Sequence, residues 1–223
     1  MSYLYDLHVH TSESSFCGEV SAENVVKRYK SLGYNGIFIT DHFNKYTINR
    51  YNMPDRKSER ERWLLGFRTA KKFETEDFRI LLGLELRAAE NDNDYLVYGF
   101  DESFVFDYDI NSLVRIEDFI PTARENGLAV FQAHPFRNNM TVVKPGLLDG
   151  IEVYNGHMNH DSRNDIAWRW SEKFSLKRIS GSDFHGNTKG TPGGVRFNRN
   201  PADSADAAKM LLAGEYFLAV YQK

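Results

Sequence analysis

Five of the seven histidines in this sequence stand where predicted β-strands end. The first two, His8 and His10, close the strand that the apolar pattern of residues 3–9 predicts. Side chains two residues apart on a strand point to the same face, so we expect these two imidazoles to converge. Converging buried imidazoles are typical ligands of a transition-metal ion. The pair therefore indicates metal-dependent chemistry.

The other candidate ligands follow four later strands, and they are His42, Glu85, His134, Asp183 and His185. In an α/β barrel the C-terminal ends of the strands form the rim that carries the active site. A single histidine is usually a structural residue, but several at separate strand ends, together with acidic residues, predict a metal site. Imidazole suits zinc, iron or manganese, and a carboxylate such as Glu85 can bridge two ions.

The elements that must position these residues alternate along the chain. Strand patterns cover residues 3–9, 36–40, 78–84, 95–100, 128–133, 150–154, 177–182 and 216–221. Helical patterns cover residues 22–32, 57–74, 112–126, 163–174 and 204–213. The helix that contains Pro121 either begins near Ile120 or is kinked. Residues 43–57 form a long connection and are a candidate lid. The alternation predicts a parallel sheet, closed or nearly closed into a barrel, in a single domain.

Composition sets further expectations. The formal net charge of −3 and the absence of a basic stripe predict no nucleic-acid partner. No leader segment and no apolar run of about 18 residues is present, which predicts a soluble protein of the cytoplasm. Cys17 is the single cysteine, which agrees with a reducing compartment. The sequence does not specify the oligomeric state.

Read together, the strand-end motifs resemble the four-motif pattern of the PHP family of polymerase and histidinol phosphatase domains, and the matching segments are His8-x-His10, Asp41-His42, Glu85, His134-Pro135 and Asp183-x-His185. The resemblance extends from the first strand to about residue 197. It implies a distorted seven-stranded (β/α) barrel, a single domain over residues 1–223. It also implies two or three divalent ions (Zn, Mn or Fe), with phosphoester hydrolysis as the usual chemistry.

The resemblance further implies three metal positions, which are His8, His10, Glu85 and Asp183 for one ion, Glu85 and His134 for a second, and His42 and His185 for a third. Two residues depart from the family pattern. Cys17 stands where His or Asp is common, and it is either a half-buried thiol or a ligand that favours zinc or iron at the third position. Asp94 stands where His is usual, and it is either a carboxylate capping its turn or a ligand at the second position.

A site of this kind can hydrolyse a small phosphorylated substrate with metal-activated hydroxide, without a protein nucleophile. Arg137 and Arg196 are candidate phosphate-binding residues because a guanidinium matches phosphate; either could instead be a solvated surface residue. His157 and Asp183 are the candidate catalytic groups, with His157 as a proton donor to the leaving group. We expect three further residues to orient the metal ligands through hydrogen bonds without binding metal themselves, and they are Asp41, Glu152 and Asn155.

Two other functions remain open. An amidohydrolase-like reaction on a C–N or lactone bond could use the same barrel, although the sequence offers no clear metal-bridging lysine on a strand. A non-catalytic, metal-stabilised module that binds a phosphorylated ligand or a partner also remains open, because Asp94 replaces the usual histidine.

Overall fold

The strands of the protein lie in one sheet. The computed structural model describes residues 2–186 and 192–220. Within these ranges the strands are β1 (Tyr3–Val9), β2 (Gly36–Ile39), β3 (His42–Phe43), β4 (Arg79–Leu86), β5 (Tyr95–Tyr98), β6 (Ala129–Gln132), β7 (Gly150–Asn155), β8 (Lys177–Gly181), β9 (Val195–Phe197) and β10 (Tyr216–Leu218).

Helices connect most of the strands. They are α1 (Ala22–Ser31), α2 (Lys45–Arg50), α3 (Arg56–Trp63), α4 (Leu65–Lys71), α5 (Glu102–Asp107), α6 (Ile116–Glu125), α7 (Asn164–Lys173) and α8 (Ser204–Ala213), with a 3₁₀ helix at Ile110–Ser112. No helix in the described ranges is both long and apolar enough to cross a membrane.

The sheet is nearly closed into a barrel. Its order is β10-β9-β1-β2-β4-β5-β6-β7-β8, and β3 pairs with β4. The segment after β8 returns to the end of β1, where Val9 and Phe184 form a parallel bridge and the His10 N–H donates to the Phe184 carbonyl at 3.0 Å. The C-terminal ends of β1 and β8 therefore meet at one rim, and the predicted α/β barrel is confirmed.

The sheet is mixed rather than wholly parallel. β5 runs antiparallel to both β4 and β6, and β9 runs antiparallel to both β1 and β10. Sequence patterns did not reveal this direction, because strands buried on both faces are apolar throughout in either orientation. β2, β4 and β5 are examples, since nearly every residue in them is buried.

Helix α1 shows how the outer layer covers the sheet. Val25, Val26 and Tyr29 form one stripe that packs in the same apolar cluster as Ile37 and Ile80 of the sheet. Helical spacing at three and four residues places these side chains on one face. The helix therefore fixes the outer face of β2 and β4 and leaves the strand ends free for the rim.

Two local predictions were wrong, and one pair of alternatives is resolved. Residues 43–57 are not a simple loop, because α2 begins after Asn44, whose side chain accepts the Thr47 N–H at 2.9 Å. The predicted helix over 57–74 is two helices, α3 and α4, which join at Leu64. Helix α6 begins at Ile116 and contains Pro121, so the later start near residue 120 does not occur.

Candidate metal centre

Glu85 lies among four imidazoles. β3 pairs with β4 so that His42 stands opposite Glu85. The nitrogens nearest to the Glu85 carboxylate oxygens are His8 Nε2 at 3.2 Å, His10 Nε2 at 3.3 Å, His42 Nδ1 at 2.7 Å and His134 Nε2 at 3.1 Å. Except for His42, these side chains are at most 2% exposed. The structure therefore brings together candidate ligands from four strand ends.

Asp183 forms a second acidic edge of the same cluster. Its Oδ1 lies 3.4 Å from the Nε2 atoms of both His8 and His10 and 3.2 Å from His185 Nδ1. Its Oδ2 accepts a hydrogen bond from Arg137 Nη2 at 2.7 Å. Burial raises the pKa of Asp183, but the charges of His8 and His185 outweigh burial and hold it well below its usual range. Asp183 is therefore a carboxylate anion that faces imidazoles.

A third group contains three imidazoles and a thiol. His10, His42 and His185 bring ring nitrogens within 4.8 Å of one another. Cys17 lies beside this group and is exposed, so the alternative of a half-buried thiol is wrong. Partial removal from water raises the pKa of its thiol, but hydrogen bonds with His185 and His42 outweigh that effect and lower the pKa to about 6. The thiol is therefore readily ionised, as metal coordination requires. This arrangement supports the ligand alternative for Cys17, which stays a prediction.

Hydrogen bonds behind the imidazoles fix which nitrogen faces the cluster. Glu152 Oε1 lies 3.1 Å from His8 Nδ1, and a carboxylate can only accept, so His8 carries its proton there. Ser15 Oγ donates to Asp41 at 2.6 Å and lies 3.2 Å from His10 Nδ1, so it accepts from that nitrogen. With the Nδ1 proton fixed in this way, the Nε2 atom of each neutral ring presents its lone pair toward the carboxylates, as metal ligation requires. Asp41 acts through Ser15, a residue that sequence reasoning missed.

The buried polar atoms at the centre fit a cluster of cations. Counting only partners in residues 2–186 and 192–220, four atoms there have no hydrogen-bond partner, and they are His8 Nε2, His10 Nε2, His42 Nδ1 and Glu85 Oε2. Lone pairs of nitrogen and carboxylate oxygen repel at these distances, and unpaired buried polar groups are costly. Divalent cations between them would remove both penalties, because imidazole and carboxylate are the usual ligands of such ions.

Protons take the place of cations when metal is absent. Burial lowers the pKa values of His8 and His42, but carboxylate charge outweighs burial and raises both well above their usual range; the largest contribution comes from Asp183 for His8 and from Glu85 for His42. Metal binding should therefore release protons.

Two candidate ligands have a left-handed backbone. His134 has φ of 28° and Asp183 has φ of 53°, values that non-glycine residues rarely adopt. Such residues cost about 1–3 kcal/mol each and cluster at functional sites. The Glu152 carboxylate helps to hold this backbone by accepting the His134 N–H at 2.9 Å. Gly181 lies close by, and a Cβ there would stand 2.4 Å from the Cβ of His8.

Asp94 lies at the edge of the cluster, with Oδ2 3.9 Å from His134 Nε2. Arg87 donates to both Asp94 oxygens, through Nε and Nη2, at 2.7 Å each. The prediction that Asp94 caps its turn is wrong, because Asn91 accepts the turn N–H of Asn93 instead. Arg87 was missed, although its spacing of two residues from Glu85 along a strand could have revealed it.

The two arginines predicted to bind phosphate have different locations. Arg137 lines the central cavity, but its Nη2 donates to Asn155, Ser162 and Asp183 at 2.7–3.2 Å. Arg196 is exposed on β9, opposite Leu4 at the start of β1, and is not part of the cavity lining. The prediction for Arg196 is therefore wrong, because β9 pairs with the end of β1 that is remote from the ligands.

A cavity of about 600 Å³ opens at the centre, and loops 137–140 and 156–161 contribute to its lining. Residues 43–57 contribute nothing to it, so the prediction of a lid there is wrong. His157 lines the cavity, and its Nδ1 accepts the Asn159 N–H at 3.1 Å. Burial lowers the pKa of His157 to about 4, so the ring is neutral at pH 7 with its proton on Nε2. It can donate a hydrogen bond but is not a cationic acid.

Comparisons with known proteins identify the family and the fold. The family model described as PHP domain matches residues 6–215. A solved two-domain protein from Bacteroides vulgatus ATCC 8482, containing a predicted PHP-like metal-dependent phosphoesterase, superposes with a TM-score of 0.69 at 18% identity. That match covers 99% of this chain and 65% of the other. PsfC from Pseudomonas syringae PB-5123 gives 0.65 at 14% identity and covers 93% and 87%. No curated protein matches the sequence.

Endonuclease Q corrects one prediction. Its structure, in complex with a 27-mer duplex substrate with an abasic lesion at the active site, gives a TM-score of 0.64 at 17% identity. The match covers 96% of this chain and 57% of that chain. This identity shows a shared fold, and a protein with this fold acts on a nucleic acid. The prediction that net charge excludes a nucleic-acid partner is therefore wrong, because a local surface can bind DNA whatever the total charge.

Proposed function

The chain belongs to the PHP domain family, and on that premise we propose that it is a metal-dependent phosphoesterase that hydrolyses a small phosphorylated substrate. One observation carries the proposal. Imidazole nitrogens from β1, β3 and the end of β6 converge on Glu85 and Asp183, and several of them have no hydrogen-bond partner among the residues that the structure describes. A purely structural cluster of this kind would be strongly unfavourable.

We assign three metal positions from this geometry and from the family pattern. The proposed ligands are His8, His10, Glu85 and Asp183 for the first ion, Glu85 and His134 for the second, and His42, His185 and Cys17 for the third. Two or three ions of zinc, manganese or iron fit imidazole, carboxylate and thiolate ligands. Glu85 has one oxygen near His8 and His134 and the other near His10 and His42, which suits a bridging role.

When bound, such ions make hydroxide available from water near neutral pH and neutralise charge on the phosphoryl group. The residues of the chain hold and orient the reacting groups. Glu152 fixes the Nδ1 proton of His8, and Arg137 and Asn155 hold Asp183 through Oδ2. We propose that the neutral His157 donates a hydrogen bond from Nε2–H to the leaving-group oxygen of the substrate and keeps its proton.

The size of the substrate follows from the cavity. A volume of about 600 Å³ holds a phosphoryl group and a leaving group of metabolite size. Its lining contains amides, methionines and charged side chains, which suits a polar leaving group. A nucleotide or the end of a nucleic acid strand would satisfy the same requirement.

Glu85→Gln tests the proposal, with the exposed Glu23→Gln as a matched control. We expect purified wild-type protein and Glu23→Gln to contain at least two ions per chain and to release phosphate from p-nitrophenyl phosphate. Glu85→Gln should lose ions and at least about 100-fold in turnover, because the shared ligand loses its charge. A metal-loaded wild-type protein that hydrolyses no phosphoester in a broad panel would refute the proposal.

A further inference from the structure

Arg87 and Asp94 form a bidentate ion pair at the edge of the cavity. Arg87 Nε donates to Asp94 Oδ1 and Nη2 donates to Oδ2, both at 2.7 Å. Two parallel charge-assisted bonds fix the plane of the guanidinium as well as its position. Asp94 is buried, so neither partner is drawn away by water. The pair therefore fixes a guanidinium in the lining of the cavity, with its charge balanced by the Asp94 carboxylate.

The third nitrogen of Arg87 is available to a ligand. Nη1 lies 3.7 Å from Asp92 Oδ1, beyond hydrogen-bond distance, and the Asp92 side chain is 62% exposed. Among residues 2–186 and 192–220, no acceptor bonds to Nη1, although the guanidinium carries five donors. Arg87 lines the cavity with its side chain 27% exposed. It can therefore donate to an oxyanion without losing Asp94.

Arg87 is also close to the candidate metal ligands. It follows Glu85 by two residues, and its N–H donates to the Phe43 carbonyl at 3.4 Å, which extends the pairing of β3 with β4. Its partner Asp94 lies 3.9 Å from His134 Nε2. The Asp94 carboxylate therefore lies between the Arg87 guanidinium and the His134 imidazole.

The other cavity arginines have different surroundings. Arg137 donates to three side chains, including Asp183 at 2.7 Å. Arg28 lies over the ring of Phe184, 5.1 Å from its centre. Arg87 differs from both because a carboxylate holds two of its nitrogens in a fork, while its Nη1 has no hydrogen-bond acceptor among the described residues.

We propose that Arg87 binds a nonbridging phosphoryl oxygen of a phosphomonoester, and that Asp94 holds Arg87 in place instead of binding a metal ion. This inference rests on the proposed phosphoesterase function and narrows its substrate class. A phosphomonoester has three nonbridging oxygens and a charge near −2 at neutral pH, whereas a diester has two such oxygens and a charge of −1. The Asp94 carboxylate balances the charge of Arg87, so the preference comes from hydrogen bonding: a fixed N–H donor beside the ions can serve the additional oxygen of the monoester.

Phosphate binding and metal content test the two assignments without requiring turnover. We would titrate inorganic phosphate into metal-loaded wild-type protein, Arg87→Gln, Arg87→Lys, Asp94→Asn and the control Arg196→Gln by calorimetry, and measure ions per chain by mass spectrometry. Arg87→Gln should weaken phosphate binding about 10- to 100-fold, and Arg87→Lys should weaken it less, because charge remains but the fork is lost. Asp94→Asn should weaken phosphate binding and keep the wild-type metal content. Arg196→Gln should change neither quantity.

Two results would overturn the inference. One is loss of an ion from Asp94→Asn, which would make Asp94 a ligand; the other is wild-type phosphate affinity in Arg87→Gln. The substrate class is tested by comparing p-nitrophenyl phosphate with bis(p-nitrophenyl) phosphate. Arg87→Gln should lower kcat/KM more for the monoester, and an equal loss would overturn that assignment. If no phosphoester is turned over while phosphate binding still depends on Arg87, the phosphoesterase proposal fails but the binding role stands.

Discussion

Gly181→Ala should disable the metal centre through a single added methyl group. Gly181 ends β8, and an ideal Cβ at this position would lie 2.4 Å from the Cβ of His8 and 2.9 Å from Glu152 Oε1. Ordinary contacts between carbon atoms are about 3.5–4.0 Å, so His8 must move by about 1 Å. A displacement of this size at a positioned group costs about 100-fold in rate, and overpacking costs about 1–3 kcal/mol in stability.

The assay must separate the displaced ligand from the loss of stability. Gly146→Ala is the control, because Gly146 has φ of 86° and no atom of the described residues lies within 4 Å of the added Cβ. It should lose about 1–2 kcal/mol through backbone strain alone and keep its ions. Gly181→Ala should unfold at a similarly lowered temperature, yet lose ions and about 100-fold in p-nitrophenyl phosphate turnover. Folded Gly181→Ala protein with wild-type metal content and turnover would refute the argument from close packing.

Three other changes test separate parts of the structure. Glu152→Gln should reduce metal affinity about 10- to 100-fold, since it weakens the support of His8; calorimetric zinc titration measures this, and unchanged affinity would contradict it. Trp63→Phe removes the hydrogen bond from the indole N–H to the His42 carbonyl of β3, which is 2.9 Å long. It should lower the metal content while changing the melting temperature little; a lower melting temperature with full metal content would indicate a purely structural role. The guanidinium of Arg199 holds the pKa of Asp206 at about 2, so this pair should stabilise the fold above pH 4 and cease to do so as pH falls from 4 to 2. Because the pair is partly exposed, Asp206→Asn should remove at most about 1 kcal/mol at pH 7 and nothing at pH 2, as urea unfolding would show; a loss that does not depend on pH would contradict the linkage.

The sequence predicted the barrel and the meeting of the ligands because both depend on local patterns. A strand of period two puts His8 and His10 on one face, and parallel strands end at the same rim. Glu85 was expected to follow its strand, whereas β4 extends to Leu86 and contains it. The difference of one or two residues did not matter, since the side chain still faces the rim.

Features that depend on distant parts of the chain could not be predicted. The position of Arg196 follows from β9 pairing with β1 across about 190 residues, and no local pattern encodes that pairing. The role of Ser15 depends on Asp41 being brought to it from the end of β2. The lowered pKa of His157 comes from burial within the folded cavity, which sequence alone does not reveal.

The left-handed backbone at His134 and Asp183 should influence how these two positions change in evolution. Glycine at either position would relieve backbone strain, so the His134 and Asp183 side chains are retained at a cost in the stability of the fold. Homologues that are no longer under selection for catalysis could therefore acquire glycine at both positions, which would raise the stability of the fold and remove the activity. Homologous sequences with glycine at these two positions would therefore be expected to lack catalytic activity.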